Sequence, residues 1–198
     1  DIGPGAYYIW AMKVASQTDI PVQKGDLADA QEYLRRITER KRCQIYHLDK
    51  NPYCWGGYDS TATGIWCHLL LGTPADDDFI RGARAFLEPA LPTWRSFHQI
   101  DARIDWNNRT IPGVGGAIAN HWYWMFGALA FRSLDCGREW LDTLDAILLK
   151  HQRIGGMNGG SWDPVGLWAV GGGRTYSTAF SISALQAGYA YSIRSGGK

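Results

Sequence analysis

Residues 120–133 read NHWYWMFGALAFRS, and residues 139–153 read EWLDTLDAILLKHQR. The first stretch is apolar on every side of a helix, which is typical of a helix buried inside a domain. The second stretch repeats apolar residues every three or four positions with charged residues between them, which predicts a helix with one exposed face. Together the two stretches predict a helical hairpin with one inner and one outer helix.

The same pairing of an inner with an outer helix recurs along the chain. The interval from Trp10 to Trp66 gives the length of one repeat. Further inner helices are expected over Ala6–Ser16, Thr61–Gly72 and Tyr176–Tyr189, and further outer helices over Leu27–Arg40 and Asp78–Leu91. Helix pairs that recur in this way stack into an array of hairpins. We therefore predict an all-α fold: a single α/α-toroid domain over residues 1–198, with about seven helices in about three and a half hairpins.

Residues at the expected helix ends support these boundaries. Asp76, Asp77 and Asp78 precede Phe79, and carboxylates stabilise a helix N-terminus, so we interpret this triplet as solvent-facing caps. Gly72 is a typical stop after the inner helix. No strand pattern of useful length appears. Residues 92–116 form a long connection, of the kind that is usually functional or covers a neighbouring surface.

Composition excludes some classes of function. The 198 residues carry a net charge of +1, so no overall field attracts nucleic acid, and no apolar run is long enough for a transmembrane segment. Ten Trp and ten Tyr residues supply large surfaces that need burial inside the domain, against a ligand or against a partner.

A family resemblance rests on the last third of the chain. Residues 148–152 (LLKHQ) followed by residues 160–162 (GSW) resemble the QW motif, and residues 161–179 (SWDPVGLWAVGGGRTYSTA) look like a final repeat. Residues 58–64 and 121–124 fit the repeats before it. The chain thus resembles bacterial members, of unassigned function, of the prenyltransferase/squalene-oxidase (squalene–hopene cyclase-like) repeat family. The resemblance implies an α/α toroid in which Trp162 stacks on the Gln152 amide.

The resemblance also implies that the toroid is incomplete, because a full ring of this family holds more hairpins than this chain provides. Either the remainder lies outside this sequence, or a protein partner or a second copy covers the open ends. Cyclases of the family use a D-x-D-D acid, whereas this chain has Ala75 in place of the first Asp. Prenyltransferase subunits hold zinc with Asp, Cys and His, and that constellation does not appear. We therefore expect no metal and no cofactor.

Two carboxylates are weak candidates for an acid catalyst, namely Asp59 and Asp163. Asp59 precedes an inner helix, where helix capping is the simpler interpretation. The glycines before Arg174 suggest a phosphate loop, but the GK[ST] ending and a preceding strand are lacking. We expect a turn there, with Arg174 bound to loop carbonyls or a carboxylate.

Aromatic residues on the expected inner helices have three possible roles: a packed core, a partner surface, or an apolar ligand pocket. As the candidate ligand or partner surface we select Tyr7, Trp10, Trp66, Trp122, Trp124 and Tyr176.

The cysteines do not determine the cellular compartment of the protein. Cys67 falls in an inner helix and is expected to be a buried thiol. Cys43 and Cys54 flank a turn-rich loop, where they are either a disulfide or two free thiols. Oxidation of that pair would favour an exported or periplasmic protein.

The sequence therefore predicts a non-catalytic interaction or scaffold module, a subunit of a larger assembly. One alternative is an isoprenoid-processing enzyme of the terpene cyclase or prenyltransferase type. The other is a protein that binds an apolar ligand.

Overall fold

The structure is a computed structural model that describes residues 2–23, 25–41, 43–45, 57–96, 118–166 and 168–195. The described part is mostly helical, which confirms the predicted all-α class. Its helices are α1 (Ile2–Ala15), α2 (Asp26–Ile37), α3 (Tyr58–Leu70), α4 (Asp78–Leu87), α5 (His121–Ser133), α6 (Arg138–His151) and α7 (Ala169–Ser195). Two short strands, β1 (Thr38–Glu39) and β2 (Gln44–Ile45), form one antiparallel pair. Among the described helices, none is both long enough and apolar enough to cross a membrane.

The four apolar helices pack in chain order: α1 on α3, α3 on α5 and α5 on α7. We call these four helices the apolar row. Nearly every residue of α3 and α5 is buried, as expected for helices that are apolar on every side. The amphipathic helices lie beside the row, with α2 against α1 and α3, α4 against α3, and α6 against α5. The chain is therefore a repeat-like helical array; closure of the row into a toroid stays a prediction.

Helices α1 and α3 meet through two tryptophans near their middles. Trp10 lies eight residues after the start of α1 at Ile2, and its ring meets Trp66, which lies eight residues after the start of α3 at Tyr58. The two rings pack edge to face, with centroids 5.7 Å apart.

Each outer helix buries one apolar stripe, as the sequence pattern predicts. These stripes consist of Ala30, Leu34 and Ile37 on α2, of Phe79, Ile80, Ala83 and Leu87 on α4, and of Trp140, Leu144 and Leu148 on α6. The α6 stripe is anchored by Trp140, whose indole Nε1 donates to the Tyr123 hydroxyl at 2.8 Å.

Helix ends follow the local chemistry. Asp77 caps α4 through a hydrogen bond from the Phe79 backbone N–H at 2.8 Å, which agrees with the expected capping role of the acidic triplet. The chain turns after α3 at Gly72, which has a φ of 91°. Helix α4 ends at Leu87 rather than at the expected Leu91, because Pro89 has no N–H and disfavours helical backbone at the residue before it.

Two other features differ from the expected pattern. The hairpin of β1 and β2 was not predicted, because a strand of two residues is too short to show an alternating pattern of apolar and polar residues. It brings Ile45 onto α3 at Gly64, where any Cβ would lie 2.1 Å from Ile45 Cγ1. Helix α7 starts earlier than expected, but its helical geometry breaks at Gly173, where φ is 61°. Most of the predicted connection over 92–116 lies outside the described residues.

Candidate functional site

Aromatic rings from three helices of the row converge on one side of it. Tyr7 of α1 meets Trp122 and Phe126 of α5, with ring centroids 5.8 and 6.1 Å apart. Phe180 of α7 lies 5.4 Å from Trp122 and 4.4 Å from Tyr176. We call these five residues the aromatic face. On this side a ring of the first helix of the row reaches rings of the third.

Two hydrogen bonds fix the central indole of the aromatic face. Trp122 Nε1 donates to Thr63 Oγ1 at 2.9 Å, and Thr63 Oγ1 donates to the Asp59 carbonyl at 2.7 Å. Phe126 is fully buried beneath the cluster, whereas Tyr7 is 42% exposed. Burial raises the pKa of the Tyr176 phenol, and the nearby Tyr7 and Asp59 raise it further. The aromatic face is therefore a preorganised, half-open surface with a carboxylate at one end.

Asp59 lies in the first turn of α3, one turn before Thr63. Its Oδ1 accepts a hydrogen bond from the Ser60 backbone N–H at 2.8 Å. A carboxylate in this position stabilises the positive end of the helix dipole. The N-cap residue of α3 is Gly57, so the interpretation of Asp59 as the N-cap is corrected: Asp59 is the second residue of the helix and accepts from an N–H of its first turn.

Asp163 is unsuited to the role of a proton donor. Its carboxylate lies between two guanidinium groups, 2.6 Å from Arg153 Nη2 and 2.6 Å from Arg174 Nη2. The hydrogen bond from Arg153 lowers the pKa of Asp163, and Arg174 lowers it further. Because a general acid must hold a proton near neutral pH, this carboxylate does not meet the requirement. Arg174 binds a carboxylate here, as the sequence predicts.

The loop that contains Trp162 ties α6 to α7. The Trp162 side chain is buried, and its Nε1 donates to the Leu148 carbonyl at 2.7 Å. Its backbone N–H donates to Thr178 Oγ1 at 3.2 Å, and Gln152 Nε2 donates to the Gly160 carbonyl at 3.1 Å. These bonds have a structural role. Stacking of Trp162 on the Gln152 amide, and the QW motif itself, stay predictions.

Three of the six aromatic residues selected from the sequence lie away from the aromatic face. Trp66 and Trp124 are 1% and 0% exposed, so their assignment to a ligand or partner surface is corrected: both belong to the core. Trp10 is partly buried and packs on Trp66. Apolar composition alone does not separate these positions from Tyr7, Trp122 and Tyr176, because the difference depends on which neighbours cover each side.

Two buried histidines are neutral at physiological pH. Burial and the nearby Arg40 charge lower the pKa of His68 to about 4. The Thr38 hydroxyl donates to the Leu34 carbonyl, so it accepts from His68 Nε2, which lies 2.9 Å away. Burial also lowers the pKa of His121 to about 4. His121 packs among the rings of Trp94, Trp124 and Tyr176.

Within the described ranges, no three His, Cys, Asp or Glu side chains converge as a metal site would require. Cys67 is buried, as predicted, and burial raises the pKa of its thiol. Cys43 is a free thiol whose Sγ lies 3.4 Å from the Arg40 carbonyl oxygen. The free thiol of Cys43 agrees with the alternative of two free thiols and not with a Cys43–Cys54 disulfide; Cys54 itself lies outside the described residues.

Sequence reasoning missed an exposed stripe on α1. Tyr8 is 72% exposed and Val14 is 37% exposed, and Pro4 and Ala11 are also exposed. We call these four residues the α1 flank. Their spacing places them along one side of the helix, and none of them carries a charge. A helical projection of α1 would have shown the stripe, but only the packing shows which side of α1 is left open.

The opposite end of the apolar row carries a shallow groove. It lies between the loop before α7 and α7 itself, and its volume is about 490 Å³. We call it the α7 groove. Its lining includes Gly159, Ser161, Thr175, Thr178, Ala179 and Ile182. Met157 at its rim is fully exposed.

Comparison with protein-family models, with curated proteins and with solved structures finds no significant match for this chain. The resemblance to the prenyltransferase/squalene-oxidase repeat family stays a prediction.

Proposed function

We propose that this chain is a non-catalytic interaction or scaffold module, a subunit of a larger assembly, and that its binding surface is the α1 flank. The observation that carries the proposal is the exposure of Tyr8, at 72%, on a helix that is apolar on every side. A helix of this kind is stable in water only when its apolar sides are covered. Contiguous exposed apolar surface of this kind typically marks an interaction site.

The chemistry of the carboxylates also supports a non-catalytic role. Asp163 is held ionised by Arg153 and Arg174, and Asp59 serves the N-terminus of α3. The ring contacts between α1 and α5 support the further proposal that the array is part of an α/α toroid of the squalene–hopene cyclase-like type. Among the described residues, α1 has a neighbouring helix of the row on one side only, as an end helix of a partial ring would.

The test compares one charge at two exposed helical positions. Tyr8→Glu places a carboxylate on the α1 flank, and Ala28→Glu places it on the exposed face of α2 as the matched control. We expect the wild-type chain to associate in solution and its residual free form to bind a hydrophobic dye. Tyr8→Glu should reduce both signals and Ala28→Glu neither. A wild-type monomer that binds no dye would contradict the proposal.

A second candidate function is the binding of an apolar ligand on the aromatic face. The observation that favours it is the convergence of five rings, of which Tyr7 is 42% exposed and Trp122 is fixed by Thr63. Mass spectrometry of an organic extract of the purified protein tests this candidate. We expect a lipid or polyene that is depleted in a Trp122→Ala variant. A clean extract from the wild-type protein would rule it out.

A further inference from the structure

The loop between α6 and α7 carries the two most exposed large apolar side chains of the described residues, Ile154 and Met157, which are both fully exposed. Residues 154–159 read IGGMNG, and we call them the loop tip. The loop tip holds no charged residue, and Asn158 is its only polar side chain. Full exposure means that neither apolar side chain packs on the described part of the domain, so their burial contributes nothing to its stability.

Hydrogen bonds give the loop tip a defined shape. At its base, the Arg153 N–H donates to the Ser161 carbonyl at 2.9 Å, and the Gly160 N–H donates to the Arg153 carbonyl at 2.7 Å. At its outer end, the Gly159 N–H donates to the Gly156 carbonyl at 3.0 Å, which closes a β-turn around the methionine. The loop tip is therefore a closed turn that holds two apolar side chains away from the domain.

Basic side chains lie at the base of the loop tip. Lys150 is exposed in the last turn of α6, Arg153 precedes the tip directly, and Arg174 donates to the Ser161 hydroxyl just after it. Among the described residues, the carboxylate that pairs with these cations is Asp163, which contacts both arginines. The base therefore keeps an excess of positive charge, although the net charge of the whole chain is only +1.

We infer that the loop tip inserts into the surface of a lipid bilayer that contains anionic lipids, with its basic base at the headgroups. The inference is independent of the proposed function, because it uses neither the α1 flank nor its partner. Apolar side chains gain burial at the boundary between headgroups and acyl chains, and neighbouring basic residues attract anionic headgroups. Either signal alone gives weak binding, and the two together strengthen it.

Shape and charge favour a lipid surface over a protein partner. Protein interfaces bury their apolar anchors in the centre of a complementary patch with a polar rim. The loop tip instead projects its apolar side chains from the domain among uncharged glycines, with the basic residues set behind them. A fluid bilayer accepts such a projection without a preformed hole. The hydrogen bonds within the turn also lower the cost of moving its backbone out of water.

The apolar surface continues from the loop tip onto α7. Ile182 of α7 is 40% exposed and lines the α7 groove together with Met157. Shallow insertion of the loop tip would bring this side of α7 towards the headgroups. The chain would then lie on the membrane through one loop, which agrees with the finding that no described helix is long and apolar enough to cross it.

The test measures flotation of the purified chain with vesicles made of equal parts of phosphatidylcholine and phosphatidylglycerol. We expect the wild-type chain to float with these vesicles and to bind vesicles of phosphatidylcholine alone more weakly. The double variant Ile154→Ser, Met157→Ser should lower the partition coefficient at least ~10-fold, because it removes the inserted side chains. Ile20→Ser, at an isoleucine that is 62% exposed between α1 and α2, is the matched control and should change nothing.

A second pair of variants tests the basic base. Lys150→Gln should weaken binding to the anionic vesicles ~5-fold and leave binding to phosphatidylcholine vesicles unchanged. Lys41→Gln, at an exposed lysine between β1 and β2, should leave both unchanged. Circular dichroism should show an unchanged fold for every variant, since all of the substituted side chains are exposed.

Other outcomes overturn the inference. A wild-type chain that floats with neither kind of vesicle would do so directly. Equal flotation of the wild-type chain and the double variant would mean that the loop tip does not insert. Loss of flotation in Tyr8→Glu, with the double variant unaffected, would move the membrane contact to the α1 flank. Association of the wild-type chain through Tyr8 is a separate measurement, so the proposed function stands or fails independently of vesicle binding.

Discussion

Helices α1 and α5 have similarly apolar compositions and different surroundings. Both are apolar on every side, and both belong to the apolar row. Helix α5 lies between α3 and α7 with α6 behind it, and it buries ten of its thirteen residues. Helix α1 has α3 on one side and α2 behind it, and buries only Ile2, Ala6 and Ile9. An apolar helix requires neighbours that cover its sides. The α1 flank is a side of α1 that the described part of the chain leaves exposed.

The largest difference in stability between variants of the two helices should come from removing one large ring from each. Trp124 of α5 is fully buried, so Trp124→Ala should lower the free energy of unfolding by about 3–5 kcal/mol. Tyr8→Ala, measured in protein dilute enough to be monomeric, should change it by less than about 0.5 kcal/mol. Denaturant titration of both variants checks the comparison. Equal losses at the two positions would mean that α1 is covered as fully as α5.

Stability should fall between pH 7 and pH 5 because His121 of α5 and His68 of α3 are buried and neutral. Their pKa values in the folded state are about 4, below the value of about 6.5 in an unfolded chain. The unfolded state therefore binds protons first as the pH falls, and each histidine should cost about 2 kcal/mol by pH 5.

The matched variant for this pH dependence is His121→Gln, which cannot titrate in this range. Unfolding free energies of both proteins at pH 7 and pH 5 give the two slopes. The slope of the variant should be about half that of the wild-type protein. Identical slopes would show that His121 is not the buried neutral group described here.

Glycine replacements test the same difference in packing between α5 and α1, with smaller expected changes in the free energy of unfolding. A Cβ at Gly127 of α5 would lie 2.6 Å from Trp140 Cη2, so Gly127→Ala should cost about 1–3 kcal/mol. A Cβ at Gly5 of α1 would meet Tyr33 at an ordinary 3.4 Å, so Gly5→Ala should gain about 0.5 kcal/mol from helix propensity. Thermal unfolding of the two variants should move in opposite directions. A gain at both positions would contradict the tight packing of α5 on α6.

The smallest effect concerns Asp59 beside the aromatic face. Asp59→Asn removes the charge but keeps a side chain that accepts from the Ser60 N–H, so it should cost about 0.3–1 kcal/mol. Dye and ligand binding to the aromatic face should be unchanged. Loss of an isoprenoid conversion in this variant would instead favour the enzymatic alternative over the interaction module.

Local patterns predicted the helices well because burial on all sides and burial on one side have different periodicities. The α5–α6 pair and the Asp77 cap follow directly from residues 120–153 and 76–78. Tertiary contacts determine which apolar side chains are buried and which are exposed, and the sequence pattern does not. Trp66 and Trp122 both lie in apolar stretches of sequence, but Trp66 is buried in the core and Trp122 belongs to the aromatic face. The exposure of Tyr8 depends on which described helices pack against α1, and no local sequence pattern gives that information.

The central claim is that association buries the α1 flank. Hydroxyl-radical footprinting of the tyrosines, in dilute and in concentrated protein, tests it at Tyr8 itself. The 72% exposed Tyr8 ring should be readily modified in dilute protein and strongly protected in concentrated protein, while the buried Tyr123 stays unmodified in both. Tyr8 modification at the same rate at every concentration, in protein that otherwise folds normally, would contradict the claim.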